Sequence, residues 1–194
     1  MNARTRIFGN APRVSIRNDY CRASSLAADD PEAHQVIANF AHVLDEQYKS
    51  AHPELYARHA RQVDRVLPEW RIGSSVFTSG IINENNPLPY HFDAGNFAGV
   101  WSNMLALRAD VEGGHLAVPA FDCAFAIGDR TLLMFDGQGL LHGVTPMKRT
   151  SATGYRYTLV YYSLKDMWAC ETSVDETRRY QHVRTLRERK RGGR

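Results

Sequence analysis

Hydrophobic positions change their spacing along this chain, and the change predicts two kinds of structure. Residues 1–29 read as an irregular arm. In "DDPEAHQVIANFAHVLDEQYKSA", Val36, Phe40, Val43 and Leu44 recur at helical spacing and are expected to face the core. Asp30 stands at the N-cap of that helix, with Pro31 at its first position. "HPELYARHARQVDRVLP" restarts a second helix after the break at Pro53 and ends before Pro68. From there the runs become short and β-prone: "SSVFTSGIIN", "GVWSNMLALRA", "HLAVPAFDCAFAI", "TLLMFD", "LLHGVTP" and "YRYTLVYYSL". Turn signals separate them, namely "NENNP", "EGG", "GD" and "DGQG". Helices followed by six or more strands predict an α+β fold, with helices buttressing an antiparallel sandwich or barrel. "SVDETRRYQHVRTLRERKR" predicts a closing helix with Ser173 and Glu176 in capping-box register. The expected organisation is an arm over 1–29, one domain over 30–172 and a tail over 173–194. Within the domain, helices span 30–67 and the β core spans 70–165.

Composition adds little to this picture, but charge adds more. The 194 residues suffice for one domain with a substantial core, and no fixed-period repeat is present. No secretory leader or membrane-length apolar run is visible, which predicts a cytoplasmic protein. Three widely spaced cysteines, Cys21, Cys123 and Cys170, match neither a disulfide framework nor a zinc site and point to a reducing compartment. The net charge of +3 is unevenly spread: from Arg178 onward eight Lys or Arg face one Glu, which leaves the body at −4. Such a basic tail can serve as a phosphate-binding arm or simply as a solvated terminus.

The candidate chemistry begins in "NPLPYHFDAGNFAGVW". In an extended segment residues i and i+2 share a face, so His91 and Asp93 point together while Phe92 points away. A surface loop with an incidental histidine would explain that much alone. A second histidine, His142, lies in "LLHGVTP". Two histidines and a carboxylate on one face of a metal form the facial triad of non-heme Fe(II) oxygenases. Fourteen positions after His142, Arg156 opens a strand face shared with Thr158, Val160 and Tyr162. A guanidinium grips a carboxylate bidentately, and Thr158 adds a hydroxyl donor. A metal triad with a carboxylate clamp implies a co-substrate that chelates iron at one end and presents a carboxylate at the other. 2-Oxoglutarate has that form.

The order "HFD", "HGVTP", "RYT" resembles that of Fe(II)/2-oxoglutarate dioxygenases on the double-stranded β-helix (jelly-roll, cupin-like) fold. "HFDAGNFAGVWSNMLAL", "GGHLAVPAF" and "LLHGVTPMKRTSATGYRYTLVYYS" resemble more specifically the TET/J-binding-protein branch, which oxidises the methyl group of 5-methylcytosine or thymine in nucleic acid. The similarity covers about residues 70–165, is strongest in the last of these pieces, and resembles the compact enzymes of bacteriophages and other microbes. It implies that His91, Asp93 and His142 hold Fe(II) and that Arg156 and Thr158 hold 2-oxoglutarate. It also implies that Asn96 bonds a flipped DNA base on which Tyr162 stacks, with O2 as co-substrate. The expected product is 5-hydroxymethylcytosine, or 5-hydroxymethyluracil from thymine. His115 lies near a further co-substrate position of the branch.

The chain departs from the animal members in two ways. They carry a base-reading histidine where Leu164 stands here, and a zinc-stapled cysteine-rich region that three scattered cysteines cannot build. Two other functions share part of the pattern. A 2-oxoglutarate hydroxylase of peptides or small molecules would use the same metal residues. A non-enzymatic β-sandwich would bind DNA through the tail and use its histidines structurally.

Overall fold

The computed structural model describes residues 2–13 and 19–192, without the side chains of 190–192. Lys190, Arg191 and Arg194 of the basic run thus lie wholly or in part outside the described residues. In chain order the elements are β1 (Arg4–Ala11), β2 (Arg22–Ala23), α1 (Ser25–Asp29), α2 (Pro31–Ala51), α3 (Pro53–Val63), β3 (Ser79–Glu84), β4 (Ser102–Ala109), β5 (Val111–Gly113), β6 (Leu116–Val118), β7 (Cys123–Phe125), β8 (Thr131–Phe135), β9 (Gly143–Val144), β10 (Met147–Arg149), β11 (Tyr155–Tyr162) and α4 (Ser173–Gly192).

The fold is α+β with a jelly-roll-like core. A larger sheet of six strands runs β2-β1-β3-β11-β4-β8, and the smaller sheets are β7-β6-β9 and β10-β5. Met104 and Ala106 of β4 pack with Leu116 and Val118 of β6, which closes one sheet over the other. On its opposite face the larger sheet packs against the helices through Phe8, Leu44, Tyr48, Phe77 and Tyr161. β11 therefore serves two cores. Tyr161 faces the helices, 4.7 Å from the Phe8 ring and donating its hydroxyl to the Ile37 carbonyl, while its neighbours Val160 and Tyr162 face the interior between the sheets.

The helix boundaries follow from their caps. Asp30 accepts from the Ala33 amide at 3.0 Å, and Pro31 opens α2. Pro53 cannot continue α2, and His52 instead caps α3 by accepting from the Leu55 amide.

Four expectations are corrected. The opening residues are not an irregular arm: β1 pairs from Arg4 to Gly9 with β3, in a register running from Arg4 opposite Glu84 to Gly9 opposite Ser79, a separation that leaves no local signal. Val36, Phe40 and Val43 face solvent, and the buried stripe of α2 is Ala41, Leu44, Asp45 and Tyr48. The two stripes lie one residue apart around the helix. Asp45 decides between them, because its carboxylate accepts from the Tyr56 hydroxyl at 2.6 Å and the Val76 amide at 2.9 Å. The α4 capping pair is shifted by one residue: Thr172 accepts from the Asp175 amide and donates to its carboxylate. Glu176 instead turns inward, bonded to Arg13 and to the amides of Cys21 and Glu171. Finally, Cys21 and Cys170 form a disulfide, with Cα atoms 5.7 Å apart, and Cys123 remains free and exposed. A pair 149 positions apart has no framework spacing, and the cysteine count no longer argues for a reducing compartment. Among the described residues, no helix is long and apolar enough to cross a membrane.

Candidate active site

Backbone pairing brings the three metal-seeking groups together. The His91 amide donates to the His142 carbonyl at 2.8 Å, and the His142 amide returns the bond at 3.0 Å. The Asp93 amide donates to the Gly137 carbonyl at 2.8 Å. Nε2 of His91 and of His142 then lie 3.4 and 3.8 Å from Asp93 Oδ1, and one donor atom from each residue falls within 4.8 Å of the others. Donors of a first-row ion at about 2.1 Å sit about 3 Å from each other, so a small inward motion closes this set around an ion.

The histidine tautomers suit the same task. Nδ1 of His91 lies 2.9 Å from the Pro89 carbonyl and Nδ1 of His142 lies 2.8 Å from that of Leu140. A carbonyl only accepts, so each Nδ1 carries the proton and each Nε2 keeps its lone pair for a metal. Phe135 packs edge-on against His142, with ring centroids 4.9 Å apart, and keeps that side dry.

These groups open on a cavity of about 390 Å³. Arg156, Thr158, Val160 and Tyr162 of β11 all line it, and so does Asn96. Arg156 is the least compensated of them. It is 1% exposed, and its Nε is buried without a partner among the described residues. Burial, aided by the charge of Arg108, lowers its pKa to about 10, so it is still a cation at neutral pH. A buried cation with an unspent donor beside a cavity fits a carboxylate ligand. Burial and the Asp93 charge push the Tyr162 phenol up to about 12, so it stays neutral and keeps its apolar ring face. The Asn96 amide donates from Nδ2 to Ser102 Oγ at 3.2 Å, and Leu164 lies opposite Asn96 in an antiparallel pairing.

Sequence reasoning missed several neighbours. "NENNP" reads as a turn, yet Asn83 and Asn86 line the cavity together with Thr5 of β1. Asn85, at φ 50°, accepts from the Arg156 amide at 2.9 Å and fixes the backbone from which that guanidinium extends. Gly114 has φ 70°, and a Cβ on it would stand 2.8 Å from Arg156 Cδ. His115 does not line the cavity; its Nδ1 accepts from the Ile127 amide at 3.1 Å.

The family model described as "Tet_JBP: Oxygenase domain of the 2OGFeDO superfamily" matches residues 13–165. The chain belongs to the Tet_JBP family. Membership in that superfamily brings Fe(II), 2-oxoglutarate and O2, and the donor set and buried cation described above suit the first two. Among relatives of the Tet_JBP domain, the bifunctional helicase and thymine dioxygenase JBP2 of Trypanosoma brucei brucei (strain 927/4 GUTat10.1) is 29% identical over 120 residues, covering 62% of this chain and 11% of the relative. The thymine dioxygenase JBP1 of Trypanosoma brucei brucei is 26% identical over 145 residues, 73% of this chain and 17% of the relative. The chain thus spans less than a fifth of the length of either curated relative. The structure of NgTET1 in complex with 5mC DNA superimposes with a TM-score of 0.67, covering 92% of this chain and 69% of that one at 14% identity, a likeness of fold.

Proposed function

We propose that this Tet_JBP domain hydroxylates the C5-methyl group of a pyrimidine in DNA. The observation that carries the reading is one cavity holding both halves of the chemistry: His91, Asp93 and His142 on one wall, and the uncompensated Arg156 on another. His91, Asp93 and His142 would hold Fe(II), with Arg156 and Thr158 taking the distal carboxylate of 2-oxoglutarate. Bound iron with 2-oxoglutarate and O2 supplies the oxidant that turns a methyl C–H into C–OH, 2-oxoglutarate leaving as succinate and carbon dioxide.

The chain's own residues do the rest. Nδ1–H bonds to the Pro89 and Leu140 carbonyls hold both imidazoles in the metal-binding tautomer. Val160, Leu116, Phe135 and Met104 give the cavity an apolar lining that excludes water from the reacting methyl. Tyr162 offers a stacking face, and Asn96 offers an amide whose Nδ2 is held by Ser102, leaving Oδ1 for a base N–H. A base inside a duplex cannot reach this interior, so the domain acts on a flipped or unpaired nucleotide. The basic run from Arg178 would hold phosphates.

The reading specifies 5-methylcytosine as the base, consistent with the 5mC DNA named for NgTET1. Thymine is the second reading, favoured by the names of JBP1 and JBP2, and Leu164 at the cavity leaves the choice of base open. Nucleoside mass spectrometry on 5-methylcytosine DNA and on unmodified thymine DNA decides the matter. A hydroxymethyl product from one of them identifies the base. No product from either, with succinate still forming, would turn the reading toward a peptide or small-molecule hydroxylase.

A further inference from the structure

Three antiparallel strands place Thr5 of β1, Asn83 of β3 and Thr158 of β11 side by side, each opposite the next in register. All three line the cavity, two positions along β11 from Arg156 and on the same face. Cross-strand partners on one face stand about 5 Å apart at Cβ, so Asn83 is the direct neighbour of the hydroxyl assigned to the carboxylate clamp.

Asn83 is 4% exposed, and its amide orientation is locked. Its Oδ1 accepts from Thr5 Oγ1 at 3.3 Å and from Asn86 Nδ2 at 3.3 Å, and Asn86 Nδ2 also donates to Thr5 Oγ1 at 3.4 Å. With both acceptor sites occupied, Nδ2 is left with two N–H donors and no partner among the described residues. Arg156, whose buried Nε has no partner among the described residues, borders the same cavity. An amide whose free donors open on the cavity, beside a buried cation, suits an anionic acceptor bound there.

We propose that Asn83, oriented by Thr5 and Asn86, is a third donor to the distal carboxylate of the co-substrate and sets the preference for a dicarboxylic over a monocarboxylic 2-oxo acid. The inference rests on the proposed placement of 2-oxoglutarate against Arg156. It also gives β1 a role, because the strand supplies the hydroxyl that fixes the amide.

The test is anaerobic calorimetric titration of the Fe(II)-loaded protein with 2-oxoglutarate and with 2-oxobutyrate, which lacks the distal carboxylate. Asn83→Ala is expected to weaken 2-oxoglutarate about tenfold, the worth of one hydrogen bond to a charged group, and to leave 2-oxobutyrate unchanged. Asn83→Asp, which sets a carboxylate against a carboxylate, is expected to weaken 2-oxoglutarate about a hundredfold. Thr5→Val, at an exposed position, frees the amide without removing it and should cost about threefold; it keeps the test open if Asn83→Ala folds poorly. Unchanged 2-oxoglutarate affinity in Asn83→Ala, or equal weakening of both acids, would overturn the role of Asn83. Arg156→Met separates the premise from the inference. If it keeps the preference for 2-oxoglutarate over 2-oxobutyrate, the placement itself fails. If it loses the preference while Asn83→Ala retains it, only the inference fails.

Discussion

Asp93 occupies the space that Gly137 leaves empty. The Asp93 amide donates to the Gly137 carbonyl at 2.8 Å, and a Cβ on Gly137 would stand 2.1 Å from Asp93 Oδ2. The carboxylate of the candidate metal triad is thus aimed by a glycine 44 positions later in the chain, at the turn "DGQG".

Gly137→Ala should therefore displace the carboxylate while leaving both histidines in place. Calorimetric titration with Fe(II) or Mn(II) is expected to show metal affinity reduced by about 10- to 100-fold, the usual effect of disturbing a ligand's support. A variant that binds metal normally would mean that Asp93 is not a ligand.

Arg156 bears on stability as well as binding. Its charge is buried, with no partner for Nε among the described residues, so a carboxylate ligand should stabilise the fold by more than its contacts with the metal alone. At a hundredfold excess over Kd, 2-oxoglutarate is expected to add about 2.7 kcal/mol, roughly 5–11 °C in melting temperature. Arg156→Met should abolish most of that increment at the same ligand concentration. An equal shift in both proteins would place the carboxylate elsewhere.

The α4 root predicts a pH dependence. Burial alone would raise the Glu176 pKa, but hydrogen bonds from Arg13 and from the Glu171 and Cys21 amides outweigh it and hold the carboxyl below its ordinary value of 4.5. A carboxyl with a lowered folded-state pKa contributes stability that is complete above the unfolded value and is lost as pH falls below it. Urea denaturation should show this contribution flat from pH 7 to 5 and declining below about 4.5. Glu176→Ala should cost about 3 kcal/mol at neutral pH, because it leaves the Cys21 and Glu171 amides without their acceptor and Arg13 with Glu171 alone, and should flatten the acid limb. Wild-type acid dependence in the variant would remove Glu176 from the account.

Much of this was legible in the sequence, for physical reasons. Strand alternation put Arg156, Thr158, Val160 and Tyr162 on one face, and all four line the cavity. Asp30–Pro31 and the break at Pro53 fixed the helix starts through local chemistry. Long-range pairings escaped: most of β1 pairs with β3, far along the chain, and Cys21 meets Cys170 only through the fold. The α2 face was misassigned because Asp45 is buried for its hydrogen bonds, which a hydrophobic count ignores. Asn83 and Asn86 were hidden by composition, since an asparagine-rich stretch before proline reads as a turn.

Two variants, one a substitution and one a deletion, probe the DNA side. Asn96→Ala should lower methyl oxidation at least tenfold while uncoupled conversion of 2-oxoglutarate to succinate continues, measured in one reaction. Parallel loss of both would make Asn96 a structural residue of the Ser102 contact.

Deletion of residues 178–194 removes eight cationic side chains. DNA affinity should fall and its dependence on salt should flatten, while oxidation of short oligonucleotides at high concentration survives. Unchanged affinity across a salt series would show that the tail carries no phosphate contacts.

The most direct measurement is stoichiometric. The protein is incubated with Fe(II), 2-oxoglutarate, O2 and DNA bearing the accepted pyrimidine, and succinate and hydroxymethyl nucleoside are quantified together. One cavity performing both half-reactions predicts near-equal amounts early in the reaction, and neither product from His142→Ala. Succinate formed without any hydroxymethyl base, on both 5-methylcytosine and thymine DNA, would contradict the account.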